Sequence, residues 1–278
     1  MNMSIWQSIV MGIVSGLAEL LPISGEAHRS ILRCLMGIQQ EDAVFRLIIH
    51  VAVLAALLVC CKEEVKRLRR TSKLLRVPPR RRKHQPDPMS VYTLRLLNTA
   101  MVPLIVARIF TMQFSFVADE LQILAFSVLA NGVILLVPSL VRNGNKDPRN
   151  MPRLDGILMG VGAGLSVIPG FSQLGTTVGI GISRGVDRKF ALKFAYLLMI
   201  PGMIAHIVFD VIAIVTGGAA LFTGAGLVIA LIGGVFCFLG CRIAHNVMQF
   251  MSYATNFSGF SYYCFGVGLF AFVLFLTV

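Results

Sequence analysis

The chain has 278 residues, 56% of them hydrophobic and 14% charged, with a mean hydropathy of +0.79. That balance excludes an ordinary soluble domain and a disordered chain and points to an integral membrane protein. The formal net charge of +12 is unevenly spread: eleven Lys/Arg lie between Lys62 and Lys83 against only Glu63 and Glu64. Beside a membrane span such a run reads as a positive-inside signal with anionic-lipid contact rather than a nucleic-acid surface, so no nucleic acid is expected as a partner.

The N-terminal MNMSIWQSIV has no basic region, and no small-x-small cleavage site follows it, so the first helix is expected to stay in the mature protein. Its apolar run is broken at Pro22 and followed by a short piece from about His28 to Met36. A helix needs ~20 residues to cross a ~30 Å hydrocarbon core. Residues 44–61 qualify as the first full span, followed by the basic run and a Pro-rich linker, VPPRRRKHQPDP, at 77–88. Spans are expected at 91–110 and 121–141. Residues 155–168, ~21 Å of helix, are too short to cross. Pro169-Gly170 breaks them, and a short piece at 174–183 follows. Three further spans are expected at 190–212, 224–241 and 259–278. The six cysteines show neither a CxxC nor a zinc-type spacing and imply no disulfide framework and no metal cluster.

The two broken stretches are copies. At an offset of 148, Gly12, Gly16, Leu17, Ser24 and Gly37 reappear as Gly160, Gly164, Leu165, Ser172 and Gly185. Polar, Gly/Pro-broken segments at matching places in two halves point to a site at a repeat interface. Irregular backbone at membrane depth is tolerated only inside protein or along a wet cavity. The fold expected is therefore an all-α polytopic membrane protein, six transmembrane helices plus two re-entrant helix-loop-helix hairpins, at 4–38 and 154–183, in an inverted-topology repeat. As one integral domain it divides into 1–76, a first repeat with its hairpin and first span; 77–90, a cytoplasmic linker; 91–141, two spans; and 142–278, the second repeat. With the Lys62–Lys83 run in the cytoplasm, the loop at 111–120, free of Lys/Arg, falls outside. Arg142, Lys146, Arg149, Arg153, Arg184, Arg188, Lys189 and Arg242 fall inside. The first hairpin then enters from outside, and both termini lie outside.

The first tip offers Glu19, Ser24, Glu26, His28 and Arg29; the second offers Ser172, Gln173, Thr176 and Thr177. Gly25, Gly170 and Gly175 allow close backbone approach and exposed N–H groups. A helix starting after Pro169-Gly170 aims N–H groups at the tip and suits a phosphate. Carboxylates beside a histidine can hold a metal or act as general acid and base. Plainer roles exist for several of these. Ser and Thr in membrane helices bond back to the i−4 carbonyl or join helices. His50 and His206 fit packing or helix pairing; His206 and Asp210, at i,i+4 spacing, could also hold a cation or a proton. For Glu19, Glu26 and His28 together the plain reading is weak, because three titratable groups at one broken tip are costly without function.

GLAELLPISGEAH resembles the GLTEFLPxSSTGH signature of the undecaprenyl-pyrophosphate phosphatase family (BacA/UppP type), and PGFSQLGTTVGIGISRGVDRKFALKFAYLLMIP resembles its second signature, which opens PGxSRSG. The resemblance covers nearly the whole chain. It implies removal of the terminal phosphate of a C55 polyprenyl pyrophosphate at the outer face of the bacterial plasma membrane. It also implies recycling of the cell-wall lipid carrier, bacitracin sensitivity and a divalent cation (Mg²⁺ or Ca²⁺). Carried over residue by residue, Glu19, Ser24 and His28 match the first motif, and Ser172, Gly175 and Thr177 the second. Four positions depart: Ser15 stands where the family has its first glutamate, Gly25 for a serine, Glu26 for a threonine, and Gln173 for the arginine that grips the pyrophosphate. On this reading the catalytic set is Glu19, His28, Ser24 and Glu26, with Glu19 and Glu26 holding the cation. Ser172, Gln173, Thr177, Gly170, Gly175 and Arg29 bind phosphate. The alternative is a family member that has lost hydrolysis and binds or translocates a polyprenyl phosphate lipid. The sequence leaves the oligomeric state open, a homodimer included.

Overall fold

The computed structural model describes residues 3–38, 42–111, 121–141, 144–216, 224–251 and 257–277. The loop at 112–120 and Arg142, both used above to orient the chain, lie outside these residues, as does Val278. Among the described residues the chain is all helical. Eleven α-helices run as α1 (Ile5–Leu20), α2 (Gly25–Leu35), α3 (Ala43–Cys60), α4 (Lys62–Arg76), α5 (Pro88–Thr111), α6 (Leu121–Leu140), α7 (Arg153–Leu165), α8 (Gln173–Ser183), α9 (Arg188–Thr216), α10 (Gly224–Met251) and α11 (Ser258–Thr277). Six of them, α3, α5, α6, α9, α10 and α11, are long and apolar enough to cross a membrane, which makes this a multi-pass membrane protein.

The six spans match the expected stretches, with two extended ends. α9 continues to Thr216 and α10 to Met251, ten residues past the expected stop at Cys241. The polar residues Arg242, His245 and Asn246 ended the apolar window but not the helix. The basic run is also not a plain loop. Residues 62–76 form α4, amphipathic, with Leu68 and Thr71 turned inward and Lys/Arg outward. Only the stretch after Val77 is irregular, apart from a 3-10 turn at Pro79–Arg81.

Of the five helices that are not spans, α4 stands by itself and the other four are paired as α1–α2 and α7–α8, of 16 and 11 and of 13 and 11 residues. Positions 148 apart do the same work in the two pairs. Ser24 and Ser172 are both N-caps, accepting from Ala27 N and Gly175 N. Gly37 and Gly185 both follow the second helix with φ of 67° and 81°, the left-handed C-terminal turn that favours glycine. Gly12 and Gly16 press against the backbone of α10 at Gly233 and Cys237, while Gly160 and Gly164 press against α5 at Ala100 and Ala107. A β-carbon at any of these four would overlap the neighbouring helix, so small residues set the crossing.

Each pair is also closed at its open end. The side-chain amide of Gln7 donates to the Met36 carbonyl at 3.4 Å. At the equivalent place, fully buried Asp155 accepts from Lys146 Nζ at 2.6 Å and Arg184 Nε at 2.9 Å, and Lys146 Nζ also donates to the Arg184 carbonyl at 2.7 Å. One closure is neutral and the other ionic.

Candidate active site

The breaks in the two short pairs meet inside the bundle. After Leu20, α1 stops at Pro22, and α2 restarts at Gly25 from a Ser24 held at φ 61°, an unusual conformation for a residue with a side chain. α7 stops at Leu165 and α8 restarts at Gln173. Asn131 of α6, fully buried, joins the two: its Nδ2 donates to the Pro22 carbonyl at 3.1 Å and its Oδ1 accepts from Ser172 N at 3.1 Å. The Ser172 hydroxyl donates to the Leu21 carbonyl at 3.4 Å, and the buried Tyr196 hydroxyl of α9 donates to the Leu20 carbonyl at 3.1 Å. The orphan backbone groups of the broken helix are thereby satisfied. Nothing in the sequence singled out Asn131, one amide in an apolar span.

A small polar pocket lies between the tips. Glu19, Ser24, Gly25, Glu26, Arg29, His50, Ser166, Phe171, Ser172, Gln173 and His206 line it. Glu26, Arg29, His50 and His206 also line a neighbouring cavity of about 820 Å³, which adds Arg46, Arg108 and Asp210 among mostly apolar walls from α5, α7 and the Ile168–Pro169 turn. Three arginines and three carboxylates thus line the polar pocket or the largely apolar groove that shares its walls. Arg29 is buried, with Nη1 3.9 Å from Glu19 Oε2. Buried Arg108 donates from Nη2 to the Ser166 hydroxyl at 3.2 Å and lies within the field of the Glu26 and Glu19 carboxylates. Asp210 of α9 joins α3 twice, accepting from Arg46 Nε at 2.9 Å and from His50 Nδ1 at 2.5 Å. The His50 and His206 rings are 4.8 Å apart.

The expected residues divide. Glu19, Ser24, Glu26, Arg29, Ser172 and Gln173 come together in the pocket. His28 does not. It follows Glu26 by two residues, about 200° round the helix, and faces α11. Its Nδ1–H donates to the Ser24 carbonyl at 2.7 Å, and its Nε2 accepts from the Tyr263 hydroxyl at 2.8 Å. Both ring nitrogens are occupied by the fold. The two glycines expected to approach phosphate approach protein instead. Gly170, at φ 103°, abuts Leu124 and Ser127 of α6, and Gly175 abuts Pro22 of the first tip. Thr177 is buried away from the pocket, and its hydroxyl has no partner among the described residues. Thr176 takes the plain role, donating back to the Ser172 carbonyl and across to Gly162, both at 2.7 Å. Gln173 turns its amide toward α9, with Nε2 3.4 Å from the Leu198 carbonyl.

Gly25 explains one departure from the signature. The Glu19 carboxylate lies directly over its Cα, where a β-carbon would stand. A serine here would displace Glu19. The cavity also gathers Arg46 and Arg108, to which the sequence assigned no role, together with His50, read there as a packing residue, and Asp210, read with His206 as a place for a cation or a proton. The one signal for the two arginines was charge inside a span.

As to a cation, Glu19 and Glu26 offer two oxygen ligands at one pocket, enough for a hard ion that keeps waters and takes substrate oxygens. Among the described residues no group of three or more His, Cys, Asp or Glu forms a closed cage.

The profile described as "Bacitracin resistance protein BacA" matches residues 8–270. Similar proteins include an undecaprenyl-diphosphatase of Methanobrevibacter smithii, 29% identical with 98% of each chain covered. One of Alkaliphilus metalliredigens is 28% identical over 84% of this chain and 88% of its own, and one of a Nocardioides species is 30% identical over 73% of each.

Proposed function

Because the chain belongs to the bacitracin resistance protein BacA family, we propose that it is an undecaprenyl-diphosphatase, cleaving a polyprenyl pyrophosphate to the monophosphate and phosphate. The observation that carries this is the lining of two cavities that share residues: Arg29, Arg108, Glu19 and Glu26 supply charge, and the larger, of about 820 Å³, has mostly apolar walls. An anionic head group and a long hydrocarbon tail are the two halves of such a ligand. The short α1–α2 and α7–α8 pairs suit re-entrant hairpins, and their residue-by-residue equivalence supports an inverted repeat with its site opening to the outer face of the plasma membrane.

In this proposal the charge missing at Gln173 is supplied from other helices. Arg29 and Arg108 grip non-bridging phosphate oxygens; an arginine does so with a planar, permanently charged fork. Ser24 and Ser172 present hydroxyls at two helix starts, whose N–H groups also favour an anion. Glu19 and Glu26 would hold a divalent cation, which supplies neutralisation of the charge that develops on the leaving phosphate. His28 positions the first tip through the Ser24 carbonyl.

The test is phosphate release from a short-chain polyprenyl pyrophosphate by purified protein, with Mg²⁺, with Ca²⁺ and with chelator. Turnover that falls by orders of magnitude in Arg29→Ala supports the proposal. A protein that moves a labelled lipid phosphate across proteoliposomes yet releases no phosphate under any of these conditions sinks it.

A further inference from the structure

Two i,i+4 pairs face each other across the α3–α9 contact: Arg46 and His50 on α3, His206 and Asp210 on α9. Asp210 is buried and receives both Arg46 Nε and His50 Nδ1, one on each carboxylate oxygen. A carboxylate can only accept from Nδ1 if that nitrogen carries the proton. The arrangement therefore fixes the His50 tautomer in which Nδ1 donates and Nε2 is left as an acceptor. Nε2 has no hydrogen-bond partner among the described residues, while the ring lines both the polar pocket and the groove. Arg46 Nε holds the other carboxylate oxygen, which pins Asp210. This is the carboxylate–imidazole arrangement that orients a general base and stabilises the imidazolium it becomes.

Resting on the phosphatase reading above, we propose that His50, oriented by Asp210, is the general base of this chain, in place of His28. A water between His50 and the terminal phosphate is deprotonated at Nε2 as its oxygen bonds to phosphorus. The bond from phosphorus to the bridging oxygen breaks, and that oxygen leaves with the electron pair as the polyprenyl monophosphate. The proton taken by His50 is then returned to the released phosphate or to bulk water. His28 is unsuited to this step, because its Nε2 already accepts from Tyr263 and its Nδ1–H is committed to Ser24.

The experiment uses the full-length protein in detergent micelles with farnesyl pyrophosphate and Mg²⁺. His50→Ala should lower kcat at least a hundredfold, and added imidazole should restore part of it, since the base is missing and the fold is not. Asp210→Asn should lower kcat by a smaller factor. It should also abolish a strongly downfield imidazole N–H proton resonance that is present in the parent protein and absent in His50→Gln. A parent protein that turns over while His50→Gln stays within threefold of it overturns this inference alone. So does a His50→Ala loss that imidazole leaves untouched. A parent protein that releases no phosphate overturns the phosphatase reading and this step with it.

Discussion

The α1–α2 and α7–α8 pairs use the same scaffold: a serine N-cap, a glycine turn 13 residues later, and two glycines against a long neighbouring helix. They differ in where charge is placed. The first pair carries Glu19, Glu26 and Arg29 at its tip and closes its open end with the neutral Gln7 amide. The second has a neutral tip of Ser172 and Gln173 and closes with the buried Asp155–Lys146–Arg184 cluster. One frame thus carries its charge at the tip in the first pair and at the base in the second, where it holds two helices together.

That division predicts unequal responses. Arg29→Ala should lower kcat for phosphate release by about 10²–10³, the effect of removing one preorganised donor to transition-state charge. Ser172→Ala, at the neutral tip, should cost about tenfold. Equal losses in steady-state assays would break the comparison. Next, Asn131→Ala should destabilise the fold by about 2–4 kcal/mol, because it strands the Pro22 carbonyl and the Ser172 amide in a dry interior. Thermal unfolding in micelles reads this, and a change below about 0.5 kcal/mol would mean the tips do not depend on their common clamp.

At the bases, Asp155→Asn should cost about 1–3 kcal/mol, a buried-pair loss discounted for the partly exposed Lys146 and Arg184. Gln7→Ala should cost about 0.5–1 kcal/mol. The ionic base also sets an acid sensitivity. Burial pushes the Asp155 carboxyl up, but the hydrogen bonds and charges of Lys146 and Arg184 outweigh it and hold the carboxyl below its ordinary 3.8. The folded value is the lower one. The stabilisation is therefore complete above about pH 3.8 and is lost as pH falls through the depressed folded value. The Asn variant should lack this component of acid unfolding. Last, Gly25→Ser, which restores the signature residue, should lower kcat about tenfold by pushing the Glu19 carboxylate aside. Shortening that side chain in Gly25→Ser/Glu19→Asp should recover part of the loss, and an active Gly25→Ser protein would show Glu19 free to move.

Much of the frame was legible in the sequence, because hydropathy length and Pro/Gly breaks are direct consequences of the bilayer. Glu19, Glu26 and Arg29 were legible because charge at a broken tip demands explanation. The remainder was hidden for identifiable reasons. A single arginine in a span, such as Arg46 or Arg108, announces a cost but not its partner, which here lies on a helix far away in sequence. The orientation of His28 was hidden because a motif gives order and not azimuth: Glu26 and Arg29 line the pocket and His28 turns to α11. α4 was not legible as a helix because a dense basic run obscures the spacing of Leu68 and Thr71.

The contact of α1 with α10 has one more consequence. Gly12 and Gly16 meet backbone atoms of Gly233 and Cys237, a partner made more than two hundred residues later. During synthesis the face of α1 that carries Gly12 and Gly16 therefore lacks its partner helix until about two hundred further residues have been made. The glycine face of α1 is made well before the helix it packs on, so any truncation before α10 should leave Gly12 and Gly16 without the backbone that seats them.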